Sequence, residues 1–288
     1  MKKTLSDRIF DVFNVLLLGL IAMLTIFPLY YVFVVSFTDP VEYLKSSFIL
    51  FPHQWSLASY SYLLATKAFV HSLGNSAFLT IVGTACSLVV TAALAYALSR
   101  KRLPGRRLLL LLILITILFS PGIIPNYLIV RNLHLINSVW ALILPVLASG
   151  WNVILMKNFF DGIPVELEES AAIDGCNDIT TFIRIILPLS LPSLAAFGLF
   201  YAVGYWNTFF NALLYLTDAS KWPIQVLLQN ILLNSQNSEL GMSAYVEAPP
   251  SETLKMAAVI VATIPILIVY PFLQKHFAKG AMVGSVKG

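Results

Sequence analysis

Six apolar runs, each of about 20 residues or more, dominate this chain of 288 residues. A helix needs about 20 such residues to cross a bilayer, because it rises only about 1.5 Å per residue. Of all residues, 58% are hydrophobic and 11% are charged, whereas a soluble domain carries about 25% charged residues. The runs also lack the ten-residue alternation that is typical of a membrane barrel. The sequence therefore predicts an all-α, polytopic membrane protein.

The six spans are predicted to form a single transmembrane domain over residues 1–288. The first apolar run is too long for the core of a signal peptide, and no small-x-small cleavage site follows it, so an uncleaved span is predicted. Pro121-Gly122 and Pro125 are candidate bending points of the third span. The predicted spans are about 12–37, 72–98, 108–130, 138–156, 193–216 and 254–272, with a polar loop at 158–192 and a C-terminal tail at 273–288.

Basic residues are unevenly distributed between the segments that separate the spans. Six spans place both termini on one side, and that side carries thirteen of the eighteen Lys and Arg residues. Because cytoplasmic loops carry an excess of Lys and Arg, both termini and the 158–192 loop are predicted to face the cytoplasm of a multi-pass cell-membrane protein. The other five basic residues are assigned to the outer side: Lys45, Lys67, Arg131, Lys221 and Lys255.

The interiors of the predicted spans lack the side chains that would supply energy or catalysis. Apart from Lys255 at the outer end of the sixth span, they contain no Asp, Glu, Lys, Arg or His, and this disfavours a proton- or sodium-coupled transporter. The sequence has no G-x-x-x-x-G-K-[ST] phosphate loop, so the chain is not expected to hydrolyse ATP. Its scattered histidines and two distant cysteines form no catalytic or metal-ligand pattern. We therefore expect no catalytic residue, no metal, no bound cofactor and no nucleic acid, and energy must come from a partner.

The polar loop has the signals of two short helices joined by a tight turn. Pro164 suits a first helical position, and the glutamates that follow it favour the positive end of a helix dipole. Gly175 can adopt the left-handed conformation that ends such a helix. Asn177 or Asp178 can cap a second helix from Thr180 to Leu187, which is predicted to stop at Pro188.

The same loop resembles the EAA loop of ABC-transporter permease subunits. That family's pattern is E-A-A, three residues, G, nine residues, I-x-L-P, and the spacing from Glu169 to Pro188 fits it, with Ser170 in place of the middle alanine. In the family this loop is the coupling helix, which docks in a cleft of the cytoplasmic ATPase subunit. The resemblance implies that these residues form the ATPase-coupling surface: Glu169, Ser170, Ala171, Ala172, Asp174, Gly175, Leu187 and Pro188. The alternative is an ordinary amphipathic loop between membrane helices.

Further stretches resemble carbohydrate permeases of the MalG type, and within it the LplC branch. They include Ile124 to Leu133, Trp140 to Pro145, Tyr205-Trp206-Asn207 and the tail from Phe277 to Gly288. The resemblance implies the six-helix type I importer fold and import of oligosaccharides or polysaccharide fragments. It also implies a second homologous permease, two ATPase subunits or a homodimer of one, and an extracytoplasmic solute-binding protein. The partner ATPases would use ATP and Mg²⁺, and Gly284 and Lys287 of the tail would contact them.

Aromatic and amide side chains in the apolar runs are candidates for sugar contact. Sugars are bound by aromatic faces and by amide or hydroxyl groups, and a neutral sugar needs no charged lining. Asn207 and Asn211 lie four residues apart and would share one helix face. The alternative is structural, because Trp and Tyr collect at membrane interfaces and Asn bonds neighbouring helices. The possible pathway residues are Trp151, Asn152, Tyr205, Trp206, Asn207 and Asn211.

Two other functions remain open at the level of sequence. The first is an ABC importer for a peptide, a polyamine or phosphate, although charged cargo would favour a charged lining. The second is an ATP-independent channel or a structural membrane subunit, which recovery of an ATPase partner would distinguish. The outer segment from Asp218 to Glu252 resembles the loop that reaches the solute-binding protein, and its composition equally suits a plain solvated loop.

Overall fold

The computed structural model describes residues 5–45, 48–234 and 252–284, and these residues are mainly helical. Their α-helices are α1 Leu5–Ser36, α2 Pro40–Lys45, α3 Ala58–Ala65, α4 Lys67–Ser99, α5 Arg106–Leu118, α6 Ile123–Asn132, α7 Gly150–Asp161, α8 Glu166–Ile173, α9 Asp178–Thr181, α10 Leu187–Leu189, α11 Leu191–Trp206, α12 Phe210–Tyr215, α13 Ile224–Asn234 and α14 Glu252–Gly284. The chain forms two compact units, one of residues 1–70 with 228–264 and one of residues 71–227 with 265–288.

Three helical stretches in the described residues are long and apolar enough to cross a membrane, namely Ile9–Ser36, Lys67–Ser99 and Glu252–Val269. Three further pairs of helices qualify together but are bent by more than 40°. The number of spans is therefore between three and six, and it reaches six if each bent pair counts as one. The all-α membrane fold is confirmed, and the count of six stays a prediction. The pairs are Arg106–Leu118 with Ile123–Asn132, Val139–Val146 with Gly150–Asp161, and Asp178–Leu189 with Leu191–Trp206.

The third predicted span bends by 118° between α5 and α6. Gly122 lies in this break with a φ of 83°, a backbone conformation that L side chains rarely adopt. Pro125 is different, because it is the third residue of α6, where its missing N–H has no helical partner to lose. Of the two predicted bending points, the break therefore lies at Pro121-Gly122, and Pro125 is accommodated within the first turn of α6.

In the first unit, hydroxyl groups connect the end of α1 with α3 and the start of α14. Tyr60 Oη donates to Ser36 Oγ at 2.7 Å, and its ring lies 4.8 Å from the ring of Phe37. Ser59 Oγ donates to Thr253 Oγ1 at 3.1 Å, and both residues are buried. These contacts satisfy hydroxyl groups that would be costly to leave unpaired away from water.

The loop after α2 is held by one carboxylate, which leads to a first testable prediction. Glu42 accepts the backbone N–H of His53 at 2.9 Å and that of Gln54 at 2.8 Å. The pKa of Glu42 is lowered, and the largest cause is the hydrogen bond from the His53 backbone. The ionised carboxylate therefore contributes its full stabilisation of the loop above the ordinary carboxyl pKa, and this stabilisation is lost as pH falls through the lowered pKa. We expect Glu42→Gln to speed hydrogen exchange of the His53 and Gln54 amides several-fold at neutral pH. Mass spectrometry of peptides over 48–57 measures this, with α3 as the unaffected internal control.

In the second unit, α4 packs against α11 through a row of small residues facing two tyrosines. Tyr205 Oη lies 2.8 Å from Ser87 Oγ, and Tyr201 Oη lies 2.7 Å from Thr91 Oγ1. The Tyr205 ring also lies on Gly83, where an added Cβ would come within 2.7 Å of the ring. Small residues allow membrane helices to approach closely, and the hydroxyl pairs then join them.

Asn137 joins two loops at the far end of the same unit. Its N–H donates to the carbonyl of Tyr215 at 2.7 Å, and its side-chain oxygen accepts the N–H of Asp218 at 3.1 Å. Lys221 Nζ donates to the Asn137 carbonyl at 2.8 Å. Asn137 adopts a φ of 61°, a left-handed conformation that asparagine tolerates better than most residues. This single residue therefore fixes the connection after α6 against the connection after α12.

The segment that follows α12 is less polar than its composition indicated. The outer segment from Asp218 to Glu252 was predicted as a loop, yet α13 begins at Ile224 and its first turn buries Ile224 and Val226. An average over the segment hides this apolar pattern, because its second half is poorer in apolar residues than its first half. Residues 235–251, about half of the segment expected to reach a solute-binding protein, lie outside the described residues.

Helix α14 continues beyond the predicted end of the sixth span at Phe272. It contains Pro265 and Pro271 and extends to Gly284, within the segment predicted as a C-terminal tail. The predicted tail contact Lys287 lies outside the described residues. Gly284 is the last residue of the helix, and the proposed contact of the tail with an ATPase remains a prediction.

Candidate functional site

The 158–192 loop forms the predicted helix, turn and second helix. Helix α8 begins at Glu166, two residues after Pro164, and three glutamates occupy its first turn. It ends at a turn in which Gly175 has a φ of 80°. The N–H of Gly175 donates to the Ala172 carbonyl at 3.1 Å, and the N–H of Cys176 donates to the Ala171 carbonyl at 2.9 Å. The left-handed ending predicted for Gly175 is confirmed.

The second helix begins as predicted but does not stop at Pro188. Asn177 Oδ1 accepts the N–H of Thr180 at 2.8 Å, which confirms the predicted cap. The helical path then continues through a π turn at Phe182–Ile186 and through α10, and it bends by 83° into α11. A proline inside a helix displaces the carbonyl four residues earlier. The wider π turn immediately before Pro188 changes the hydrogen-bond register there and accommodates the proline.

The residues of the predicted coupling surface divide into an outward and an inward set. Ala171 is only 3% exposed and faces the chain itself, whereas Ile173 is 87% exposed. A partner protein that docks on this face of the loop would cover Ile173 together with the small residues beside it. Ile173 was not among the predicted residues of this surface, and the exposed predicted residues of α8 and its turn are Glu169, Ser170, Ala172, Asp174 and Gly175.

Leu187 and Pro188 occupy a different position from the rest of the predicted surface. Leu187 is partly buried and packs against a core cluster that includes Met156, Phe160 and Ile186. Pro188 is exposed one residue further along the helix. These two residues lie close to the bend between α10 and α11, so their placement favours a role in positioning the loop.

Arg100, immediately after α4, connects that helix with α8, a contact absent from the sequence-based predictions. Its guanidinium forms an ion pair with Glu168, and its carbon centre lies 4.5 Å from the centroid of the Tyr96 ring. Nε and Nη2 also donate to Ser99 Oγ at 3.0 and 2.8 Å. Burial lowers the pKa of Arg100 from its ordinary value, because a charge held away from water is disfavoured. The sequence contained one indication of this contact, because Arg100 and Glu168 carry opposite charges on two segments that were predicted to face the cytoplasm.

A second ion pair and an aromatic stack join the same two regions. Arg102 pairs with Asp178, which begins the second helix of the loop. The Tyr96 and Phe182 rings stack with centroids 4.7 Å apart. A cavity of about 490 Å³ lies beside these contacts and is lined by the end of α4, the basic turn and the second helix of the loop. The 158–192 loop is therefore fastened to the end of α4 at several points.

The candidate solute residues are not equivalent in the structure. Tyr205 and Trp206 are buried, and the Tyr205 hydroxyl is occupied by Ser87. Helix α11 ends at Trp206 and α12 begins at Phe210, so Asn207 and Asn211 do not share a face of one helix, and the inference from their spacing was wrong. Both asparagines are exposed, and Asn207 Nδ2 donates to the Val203 carbonyl at 2.9 Å.

Trp151 and Asn152 lie in the first turn of α7. The indole of Trp151 is exposed and Asn152 is partly buried. A separate cavity of about 350 Å³ is lined by Tyr127 and Arg131 of α6 and by His134 of the connection that follows. Arg131 was predicted to lie on the outer side, so this cavity offers a positive charge beyond the uncharged interiors of the spans.

The structure therefore defines a helical membrane protein with an exposed helix-turn-helix loop that ion pairs hold against the end of α4. The chain belongs to the family of binding-protein-dependent transport system inner membrane components, whose family model matches residues 89–283. Members of this family are permease subunits of ABC importers, so the chain is a transport subunit and not an enzyme. Such a subunit works with a second permease, with ATPase subunits and with a solute-binding protein.

Comparison with known proteins agrees over nearly the whole chain. The chain is 48% identical to Protein LplC of Bacillus subtilis over 100% of this chain and 98% of that protein. It is 49% identical to the polygalacturonan/rhamnogalacturonan transport system permease protein YtcP of the same organism, over 99% and 100%. Its fold matches one chain of a bacterial ABC transporter involved in import of the acidic polysaccharide alginate, with a TM-score of 0.87, 32% identity and coverage of 96% and 99%. These matches confirm the predicted family and its fold.

Proposed function

We propose that this chain forms half of the translocation pathway of an importer for oligosaccharides or polysaccharide fragments. We further propose that residues 166–189 transmit the energy of ATP from partner ATPases, which bind ATP and Mg²⁺. The observation that carries the coupling is the outward set of small and apolar residues on α8, from Ser170 to Gly175. The names of YtcP and of the alginate transporter support the class of cargo.

The proposed orientation places both termini and the coupling loop in the cytoplasm. The asymmetry of Lys and Arg supports it, since thirteen of the eighteen then lie inside. The basic turn from Arg100 to Arg107 lies on the same side as the loop, because ion pairs join it to Glu168 of α8 and to Asp178 of α9. The membrane side that meets the ATPases is therefore the side that carries most of the positive charge.

The proposed mechanism is alternating access driven through this loop. Binding of ATP closes the ATPase dimer and displaces α8, and the spans repack to open outward and accept the solute. Hydrolysis then resets the subunit. The 118° break between α5 and α6 and the 83° bend before α11 are places where helices already change direction, so repacking there need not break a straight helix.

The cargo test compares neutral with acidic oligosaccharides. A neutral sugar requires only hydroxyl, amide and aromatic contacts, which the exposed Asn207, Asn211 and Trp151 offer. An acidic sugar gains from a cation, and the Arg131 cavity supplies one, since a guanidinium pairs well with carboxylates. The remaining alternative is an importer of the same family for a solute that is not a sugar.

The experiment reconstitutes the chain with its neighbouring permease, ATPase and solute-binding protein in liposomes. ATP hydrolysis is measured with neutral oligosaccharides, with acidic oligosaccharides, with peptides and without solute. We expect one of the oligosaccharide classes to stimulate hydrolysis when the binding protein is present. Stimulation by peptides alone would refute the sugar cargo while leaving the importer intact. A complex in which hydrolysis never responds to the binding protein would contradict coupling itself.

A further inference from the structure

The contact between Arg100 and Glu168 is the more enclosed of the two ion pairs that join the coupling loop to the end of α4 in the described residues. The two side chains are 13% and 17% exposed, and they belong to segments far apart in the sequence. The guanidinium lies between the Glu168 carboxylate and the face of the Tyr96 ring. It is therefore held by an acid from α8 and by an aromatic ring from α4 at the same time.

The neighbouring pair provides a direct comparison. Arg102 and Asp178 join the same two regions, but their side chains are 68% and 62% exposed. Exposed ion pairs contribute little, because water screens them and holding two long side chains costs entropy. An ion pair that is largely withdrawn from water is different, since separating its partners leaves a charge without compensation. Displacement of the loop can therefore break the contact of Arg102 with Asp178 easily, whereas Arg100, whose partner Glu168 belongs to α8, is expected to move with that helix.

The path from Arg100 continues along α4 into the membrane. Tyr96 lies one turn before Arg100 and stacks on Phe182 of the loop. One to three turns further along α4, Thr91 and Ser87 bond to Tyr201 and Tyr205 of α11. These contacts form an unbroken series from the coupling loop, through the end of α4, to the α11 segment that carries the candidate solute residues.

We propose that Arg100 is the positioning residue that transmits displacement of α8 to α4 and thence to α11. This inference rests on the proposed coupling function of the 166–189 loop and adds the route by which its movement enters the membrane. Arg100 lies beneath the loop, apart from the outward surface at Ser170 to Gly175, so its substitution leaves that docking surface in place. Its loss is therefore expected to separate binding of the ATPases from stimulation of transport.

The test uses the reconstituted complex with four single variants: Arg100→Gln, Arg100→Lys, Arg102→Gln and Gly175→Asp. The measurement is the ratio of ATP hydrolysis with and without the solute-loaded binding protein, together with the amount of ATPase that copurifies. For Arg100→Gln we expect the ratio to fall about tenfold, within the usual range of coupling between two sites, with copurification retained. Arg100→Lys keeps the charge and should recover part of the ratio, while Arg102→Gln serves as the matched control and should resemble wild type.

A second measurement separates transmission from stability. In wild type, ATP is expected to change hydrogen exchange both in α8 and in the Tyr96 to Arg100 turn of α4. In Arg100→Gln the change should remain in α8 and disappear from the α4 turn, a result that simple destabilisation does not produce. If Arg100→Gln fails to insert, Glu168→Gln removes the same ion pair from the other side and is measured in the same way.

The outcomes distinguish this inference from the function on which it rests. A normal ratio in Gly175→Asp contradicts coupling through the loop as a whole. In a second outcome, Gly175→Asp lowers the stimulation ratio, but Arg100→Gln and Arg102→Gln have equal ratios. This outcome leaves coupling through the loop intact and refutes the role of Arg100. Loss of bound ATPase in Arg100→Gln also refutes it, because the residue would then support docking and not transmission.

Discussion

Gly175→Asp is expected to lower solute-stimulated ATP hydrolysis at least about tenfold while the permease still inserts and pairs. Gly175 ends α8 with a φ of 80°, and an added Cβ would meet no atom of the chain within 4 Å. The new side chain would therefore project from the loop surface without disturbing the chain's own packing. It would place a bulky negative charge beside Asp174 on the surface that we propose the ATPase covers, where an unpaired charge is costly.

The matched control for this variant is Gly105→Asp. Gly105 has a φ of 72°, lies on the basic turn, and also has open space around its Cβ position. Aspartate tolerates the left-handed region better than most residues, so both variants should lose about 1 kcal/mol or less of stability from backbone strain. Any larger loss of stimulated hydrolysis in Gly175→Asp than in Gly105→Asp is then caused by the change to the proposed docking surface on α8. Equal loss of stimulation in the two variants would contradict the assignment of α8 as the coupling surface.

Gly83→Leu is expected to destabilise the membrane domain by about 3 kcal/mol, the upper end for overpacking of a core. A Cβ at position 83 would lie 2.7 Å from the Tyr205 ring, a distance that real Cβ atoms essentially never show. The ring cannot move aside easily, because it is buried and its hydroxyl lies 2.8 Å from Ser87 Oγ. Helices α4 and α11 would have to separate, and the measured result is a lower midpoint of thermal unfolding in detergent.

Gly74→Leu on the same helix is the control for this prediction. An added Cβ at position 74 would meet nothing within 4 Å, so no helix needs to move. Replacing glycine within a helix should even be favourable, by up to about 1 kcal/mol, since leucine is the better helix former. We expect the unfolding midpoint of Gly74→Leu to equal or exceed that of wild type. Similar losses in both variants would mean that the close approach at Gly83 does not matter for stability.

Features that depend on neighbouring residues were predictable from the sequence. The positions of the apolar helices follow from the length of the apolar runs, since about 20 residues are needed to span a bilayer. The end of α8 at Gly175 and the cap at Asn177 follow from conformational preferences of single residues. The break at Gly122 has the same origin. The family resemblance rested on the same local pattern, and the match over residues 89–283 confirms it.

Features that depend on distant residues were decided only by the tertiary structure. Tyr205 has the side chain of a sugar-binding residue, but the packing of α11 on α4 buries it against Gly83. Asn207 and Asn211 have helical spacing, but the helix between them is interrupted. Arg100 is one of five basic residues in a short turn, and only the position of α8 selects it as the partner of Glu168. Spacing along the chain determines where helices begin and end, whereas the bends and contacts between helices determine which side chains meet.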